Sequence, residues 1–148
     1  MALKVSTGLL NHLLDTGSLK GALDGGFIKY YAGSVPASAN DVITGGHTLI
    51  CTLSVDATGA GLNFDALAAD GVISKDITQI WRGVNVASGT PTFYRHVATG
   101  DTGALSSIQK RLQGAIAVAG AQINLTNTGL VAGASETLDF YVVNLPTL

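Results

Sequence analysis

Charge is scarce in this chain. Asp, Glu, Lys and Arg make up 12% of its 148 residues, and none of them occurs between residues 112 and 135. An enzyme site needs ionisable groups brought together, and a nucleic-acid site needs clustered Lys and Arg. The net charge of −2 also disfavours a phosphate-backbone partner. We therefore predict that the protein is not an enzyme, binds no nucleic acid and works through its surfaces.

Cysteine and long apolar runs are lacking as well. The single Cys51 excludes a disulfide framework within the chain, and its apolar context is typical of a buried, unreactive thiol. The longest run of apolar residues and glycine, 114–121, is far shorter than the roughly 20 residues of a membrane-spanning helix. No signal peptide is recognisable. These absences predict synthesis in the cytoplasm and no membrane partner, and the 47% of hydrophobic residues predicts a homo-oligomer, a dimer or trimer.

Helical spacing is confined to the first 25 residues. Behind a Ser-Thr pair that can cap a helix, four leucines recur at helical intervals: Leu9, Leu10, Leu13 and Leu14. A second short helix, 19–23, would begin at Ser18 and end at Gly25. Neither helix is long enough to be stable alone in water. We predict that residues 1–25 form a helical arm that docks on a neighbour; in the competing interpretation the leucines cover one end of the domain.

From residue 26 onward the apolar period is 2, the repeat of a β-strand. The clearest predicted strands are 27–32, 48–55, 121–127 and 136–145. Less regular candidates are 77–87, 92–98 and 112–119, with short pieces at 62–64 and 72–74. Ile50 breaks the alternation of its strand, and Leu138, Phe140 and Val142 are expected to share one face. With turn residues between the strands and no alternation with helices, the pattern predicts an all-β fold: an antiparallel, jelly-roll-like β-sandwich over residues 26–148.

Two copies of Asp-Thr-Gly, beginning at Asp15 and Asp101, resemble the aspartic-protease signature, in which two carboxylates share one proton. The first copy follows a helical pattern rather than a strand, and the second lacks the preceding apolar pair, so both are interpreted as turns. His12, His47 and His96 lack the spacing of a zinc site. We predict no catalytic residues, no cofactors and no metal ligands.

Two arginines lie in otherwise uncharged strands beside aromatic residues. Arg82 follows Trp81, and Arg95 lies close to Phe93. An arginine with an aromatic neighbour is typical of an interface anchor, although an edge arginine whose stem reaches to water would look the same. We predict that these four residues contact a partner. The basic pair at 110–111 is expected to flank a strand as a solvated feature that blocks aggregation.

Three stretches carry a family resemblance: MALKVSTGL at 1–9, DGGFIKYYAG at 24–33 and VASGTPTFYR at 86–95. Together with the ending LPTL at 145–148, they resemble small virion structural proteins of tailed bacteriophages, over most of the chain. These small virion proteins are in turn similar to head decoration proteins, which are also called cement proteins.

The resemblance implies a jelly-roll subunit that binds the outside of the assembled shell and stabilises it by bridging capsid subunits. Its partner would be the major capsid protein, its location the capsid exterior, and it implies no enzymatic residues. Three alternatives stay open: a tail or neck structural component, a carbohydrate-binding β-sandwich module and a hydrolase of unknown type.

Overall fold

The computed structural model describes residues 2–144, and in that part of the chain β-strands dominate. The strands are β1 (Lys4–Val5), β2 (Phe27–Ala32), β3 (Thr48–Val55), β4 (Val72–Ser74), β5 (Trp81–Val84), β6 (Phe93–Val97), β7 (Arg111–Ala117), β8 (Ile123–Asn124), β9 (Ser135–Leu138) and β10 (Val142–Asn144). The helical elements are α1 (Thr7–Asn11), a π-helical turn (His12–Thr16) and α2 (Leu19–Leu23). The prediction of an all-β fold with a short helical N-terminal segment is confirmed. The LPTL ending lies outside the described residues.

The strands form two sheets. The large sheet has the order β1-β7-β6-β2-β3-β5-β9, with β8 pairing on β7, and the small sheet consists of β4 and β10. Every strand pair is antiparallel except β7 with β8. Most neighbours in the large sheet are not consecutive in sequence, as the crossing connections of jelly-roll-like sandwiches require.

A β-bulge explains the irregular position in β3. Tyr30 of β2 pairs with Cys51 and Tyr31 pairs with Leu49, so Ile50 is an extra residue opposite no partner. The bulge turns Ile50 and Cys51 into the same core, where both are fully buried. The exception to the alternation in the sequence is therefore a structural feature of the strand.

The strand predicted over 136–145 is two strands. The chain leaves the large sheet after Leu138 and enters the small sheet at Val142. Across this switch Leu138 and Tyr141 are buried, whereas Phe140 is 76% exposed. The prediction that Leu138, Phe140 and Val142 share one face is wrong, because the period of 2 holds only within one strand.

Serine side chains begin both helices, as the sequence predicts. Ser6 Oγ accepts a hydrogen bond from the backbone N–H of Leu9 at 3.2 Å. Ser18 Oγ accepts one from the N–H of Gly21 at 2.9 Å. Gly25 follows α2 with φ of +80°, in the left-handed region that glycine adopts without strain.

The N-terminal segment pairs with the large sheet and packs on the core, while the predicted division into an arm and a domain stays a prediction. β1 pairs with β7, and the hydroxyl of Ser6 donates to the carbonyl of Gln109 at 2.7 Å. Leu9, Leu19 and Leu23 belong to the hydrophobic core. Leu9, the first leucine of the stripe, therefore packs in the core of this chain.

Close packing of the backbone makes β5 sensitive to any added side chain. A Cβ atom at Gly83 would lie 2.3 Å from the carbonyl oxygen of Thr52 and 2.7 Å from Sγ of Cys51. Because the backbone of β3 cannot yield, Gly83→Ala is expected to lower the free energy of unfolding by about 1–3 kcal/mol. Urea denaturation measures the change. Gly45→Ala is the control, since a Cβ there meets nothing within 4 Å, and an equal loss in both variants would contradict the prediction.

Candidate docking surface

The loop of residues 33–47 covers the outer face of the large sheet and buries Arg95. Arg95 Nε donates to Oε1 of Gln113 at 2.9 Å, and its Nη2 donates to the carbonyl of Ser38 at 3.3 Å. Gln113 Nε2 in turn donates to the carbonyl of Pro36 at 2.8 Å. Burial, together with the nearby positive charge of Arg111, lowers the pKa of Arg95 to about 10.

A buried ion pair lies beside it on the same face. Arg111 Nη2 lies 2.7 Å from Oδ1 of Asp101, and its Nε bonds the second carboxylate oxygen. The guanidinium also donates to the carbonyls of Ala39 at 3.2 Å and Ala104 at 2.7 Å. Burial by itself would raise the pKa of Asp101, but the hydrogen bonds from Arg111 and from the N–H of Gly103 lower it overall. Arg111 is fully buried, so the prediction that the basic pair at 110–111 is solvated is wrong for this residue.

The structure places four of the eight predicted interface residues inside the fold. Each of them is at most 1% exposed: Leu9, Trp81, Phe93 and Arg95. Phe93 stacks on Tyr31, with ring centroids 5.2 Å apart, and Trp81 belongs to an aromatic core cluster. Arg82 stays at the surface, where its Nη1 lies 2.9 Å from Oδ1 of Asp56. Four of the eight side chains thus lie inside the fold of this chain, and contact of the eight residues with a partner stays a prediction.

The two Asp-Thr-Gly carboxylates have different partners. Asp15 is exposed and accepts a hydrogen bond from Oγ1 of Thr16 at 2.6 Å, whereas Asp101 is held by Arg111. The thiol of Cys51 is buried, which raises its pKa to about 12. Residues 2–144 contain no group of three His, Cys, Asp or Glu side chains that could hold a metal ion. No helix in that range is long and apolar enough to cross a membrane.

Two of the other predicted leucines lie at the surface, on a segment that adjoins two loops with exposed hydrophobic side chains, and Leu13 packs against the core. Leu10 and Leu14 are 47% and 84% exposed, and Leu13 is partly buried. We define the α1 patch as five exposed residues on three adjoining segments: Leu10, Leu14, Val42, Leu105 and Ile108. Three of them were not predicted, because residues in irregular loops carry no periodic signal.

Hydrogen bonds join the three segments of the α1 patch. The N–H of Thr7 donates to Oδ1 of Asn40 at 2.9 Å, and the N–H of Ser106 donates to the carbonyl of Asn40 at 3.0 Å. At Gly8 a Cβ would lie 2.3 Å from the carbonyl oxygen of Ile108, so α1 lies directly against the second loop. The patch therefore presents its side chains from a fixed backbone.

A second exposed apolar group lies on the opposite side of β5 from the core. We define the valine patch as Val84, Val86 and Val131, each of which is exposed. Asn85 joins the two segments, since its N–H donates to the carbonyl of Ala134 at 2.9 Å and its side chain donates to the carbonyl of Val131 at 3.1 Å.

Comparison with known proteins found no match: no family model, no curated protein and no solved structure resembles the chain significantly.

Proposed function

We propose that this chain is a virion structural protein of a tailed bacteriophage, a decoration protein that binds the exterior of the assembled head and bridges subunits of the major capsid protein. The α1 patch is the observation that carries the proposal. It presents five exposed hydrophobic side chains on three segments that hydrogen bonds join, and exposed apolar surface of this kind marks sites of protein–protein contact. The three family-like stretches of the sequence support the same assignment.

The chemistry of the α1 patch suits a contact that buries area. Residues 7–14 and 103–109 contain no Asp, Glu, Lys or Arg, and the charged residues next to the patch are Asp15, beside Leu14, and Asp41, beside Val42, so docking there would desolvate few charged side chains. Fully burying one Leu or Ile contributes about 1.5–3 kcal/mol, and repetition over a shell multiplies the gain. Bridging requires a second contact surface, and the valine patch supplies one. We also propose that the protein is a dimer or trimer and that it is made in the host cytoplasm. In this proposal it has no nucleic-acid or membrane partner.

Polar substitution within the α1 patch is expected to weaken head binding without unfolding the protein. Leu14 and Ile108 are 84% and 80% exposed, so Leu14→Ser with Ile108→Ser is expected to change the free energy of unfolding by less than about 0.5 kcal/mol per site. Binding to heads that lack the protein is expected to weaken at least tenfold in co-sedimentation. Leu67→Ser, on an equally exposed leucine outside the α1 patch, is the control. Undiminished binding by the double variant would reject the α1 patch as the contact.

A cryo-electron microscopy map of the source virion separates the proposed location from its first alternative. Density for this fold on the outer face of the head supports decoration. Density confined to the tail or neck assigns the chain to those structures instead. The carbohydrate-binding alternative concerns a surface other than the α1 patch. The observation that favours it is a cleft around Phe140.

A further inference from the structure

A cleft opens at the seam between the two sheets. Its volume is about 510 Å³, and its walls come from residues 74–81 and 137–141 together with Asp65. Backbone hydrogen bonds fix these walls: the N–H of Lys75 donates to the carbonyl of Tyr141 at 2.9 Å, and the N–H of Asp65 donates to the carbonyl of Ser74 at 2.8 Å. We call this feature the seam cleft.

The apolar part of the seam cleft includes one exposed and one buried aromatic side chain. Phe140 is 76% exposed and Ile77 is 86% exposed, while the buried Trp81 also lines the cleft. Phe140 faces outward because the chain changes sheets around it, with Leu138 and Tyr141 turned inward on either side. The backbone thus holds a flat hydrophobic surface open to solvent.

The polar part contains both donors and acceptors. Gln79 Oε1 accepts hydrogen bonds from the N–H of Asn63 at 2.9 Å and from Nε1 of Trp81 at 3.0 Å, which fixes the amide and leaves its nitrogen without a partner in residues 2–144. Asp65 and Asp139 form no ion pair with any described residue. Lys75 Nζ donates to the carbonyl of Gln79 at 2.6 Å and lies 5.6 Å from the centroid of the Trp81 ring.

This mixture of charges disfavours ionic ligands. An anion in the seam cleft would meet the carboxylates of Asp65 and Asp139, and a cation would meet the ammonium of Lys75. A neutral molecule with many hydroxyl groups is repelled by neither the carboxylates nor the ammonium. Its hydroxyls can donate to the carboxylates and accept from the amide nitrogen of Gln79, and its C–H face can pack on an aromatic ring.

We infer that the seam cleft binds a neutral saccharide. Phe140 is the stacking surface, and Asp65, Gln79 and Asp139 orient the sugar hydroxyls. The site is separate from the α1 patch and does not depend on the proposed function. A decoration protein with such a cleft would present it on the particle surface.

The test is a glycan array with the full-length protein, followed by NMR titration of the best neutral oligosaccharide. The array covers neutral hexose, N-acetylhexosamine and deoxyhexose glycans beside their sialylated and sulfated forms. Phe140→Ala is expected to weaken binding at least tenfold, and Asp139→Asn at least threefold. The control is Val118→Ala, which removes an exposed apolar side chain outside the cleft and outside the proposed contact surfaces and is expected to leave the affinity unchanged.

Three results would overturn the inference: no neutral glycan bound at millimolar concentration, undiminished binding by Phe140→Ala, or binding restricted to charged glycans. A Phe140→Ala protein that binds heads normally but loses the saccharide would support the inference and show that the two surfaces act independently. Circular dichroism of each variant verifies that the fold is retained.

Discussion

Acidification from pH 7 to pH 4.5 is expected to lower the free energy of unfolding by roughly 2–3 kcal/mol, and His96 is the expected cause. This side chain is 1% exposed and lies among aromatic rings, with its ring centroid 5.3 Å from that of Phe64 and 5.7 Å from that of Tyr141. Neither ring nitrogen makes a hydrogen bond of normal geometry. Burial lowers the pKa of His96 from 6.5 to about 3, and the backbone of Leu23 opposes this shift without cancelling it.

The direction of the effect follows from which state binds the proton. Below pH 6.5 the unfolded chain protonates this histidine, whereas the folded chain keeps it neutral down to about pH 3. The stability that depends on neutral His96 is therefore fully present above pH 6.5. It is lost as the pH falls from 6.5 to 3, and the free energy of unfolding decreases by roughly 5 kcal/mol over this range. The pKa of Asp101 is lowered in the fold, so its contribution to the free energy of unfolding is lost only below the ordinary carboxyl pKa of 3.8. The window from pH 7 to pH 4.5 thus isolates His96.

Urea denaturation at pH 7, 6, 5 and 4.5 measures this dependence. His96→Phe keeps an aromatic ring in the cluster but removes the titrating group, so its stability should change little across the window. His47→Gln is the control, because it removes an imidazole that bonds the carbonyl of Ser34 in the covering loop. If His96→Phe and the unchanged protein lose stability in parallel on acidification, the explanation fails.

Features decided by neighbouring residues could be predicted from the sequence. The period of 2 located most strands, and Ser6, Ser18 and Gly25 marked helix boundaries, because alternation and capping act over a few residues. The break at Ile50 was visible as well, although only the register with β2 identifies it as a bulge.

Features decided by distant segments could not be predicted. Arg82 and Arg95 have the same local pattern, yet one is at the surface and the other is buried. The difference is the loop of residues 33–47, whose carbonyl at Ser38 accepts from Arg95. Likewise, the exposure of Phe140 follows from a switch between sheets, and no local repeat reports such a switch.

The candidate surfaces were only partly predictable for the same reason. Leu10 and Leu14 belong to a helical repeat and were predicted as contact residues, whereas Leu105 and Ile108 lie in a loop. What brings the loop to the helix is the buried ion pair on the outer face of the sheet. Arg111 bonds carbonyls in both loops of the α1 patch, at Ala39 and at Ala104. Its guanidinium thus supports the surface that we propose for docking.

Asp101→Asn is accordingly expected to lower the free energy of unfolding by about 3–5 kcal/mol, because it leaves the buried charge of Arg111 without its counterion. The neutral amide would also turn a donor toward a group that can only donate. The control is Asp56→Asn, which breaks the half-exposed ion pair with Arg82 and is expected to cost no more than about 1 kcal/mol. Urea denaturation at pH 7 measures both variants.

Hydrogen exchange provides the second readout for Asp101→Asn. If the ion pair holds the two loops in place, the backbone amides of Ile43 and Ser106, which bond to Gly103 and Asn40 across the loops, should exchange faster in the variant by a larger factor than the amides of β2. Head binding through the α1 patch should weaken in parallel, since a mobile backbone presents its side chains at a greater cost in entropy. A stability loss no larger than that of Asp56→Asn, or uniform acceleration of exchange over loops and strands alike, would show that Arg111 does not organise the patch.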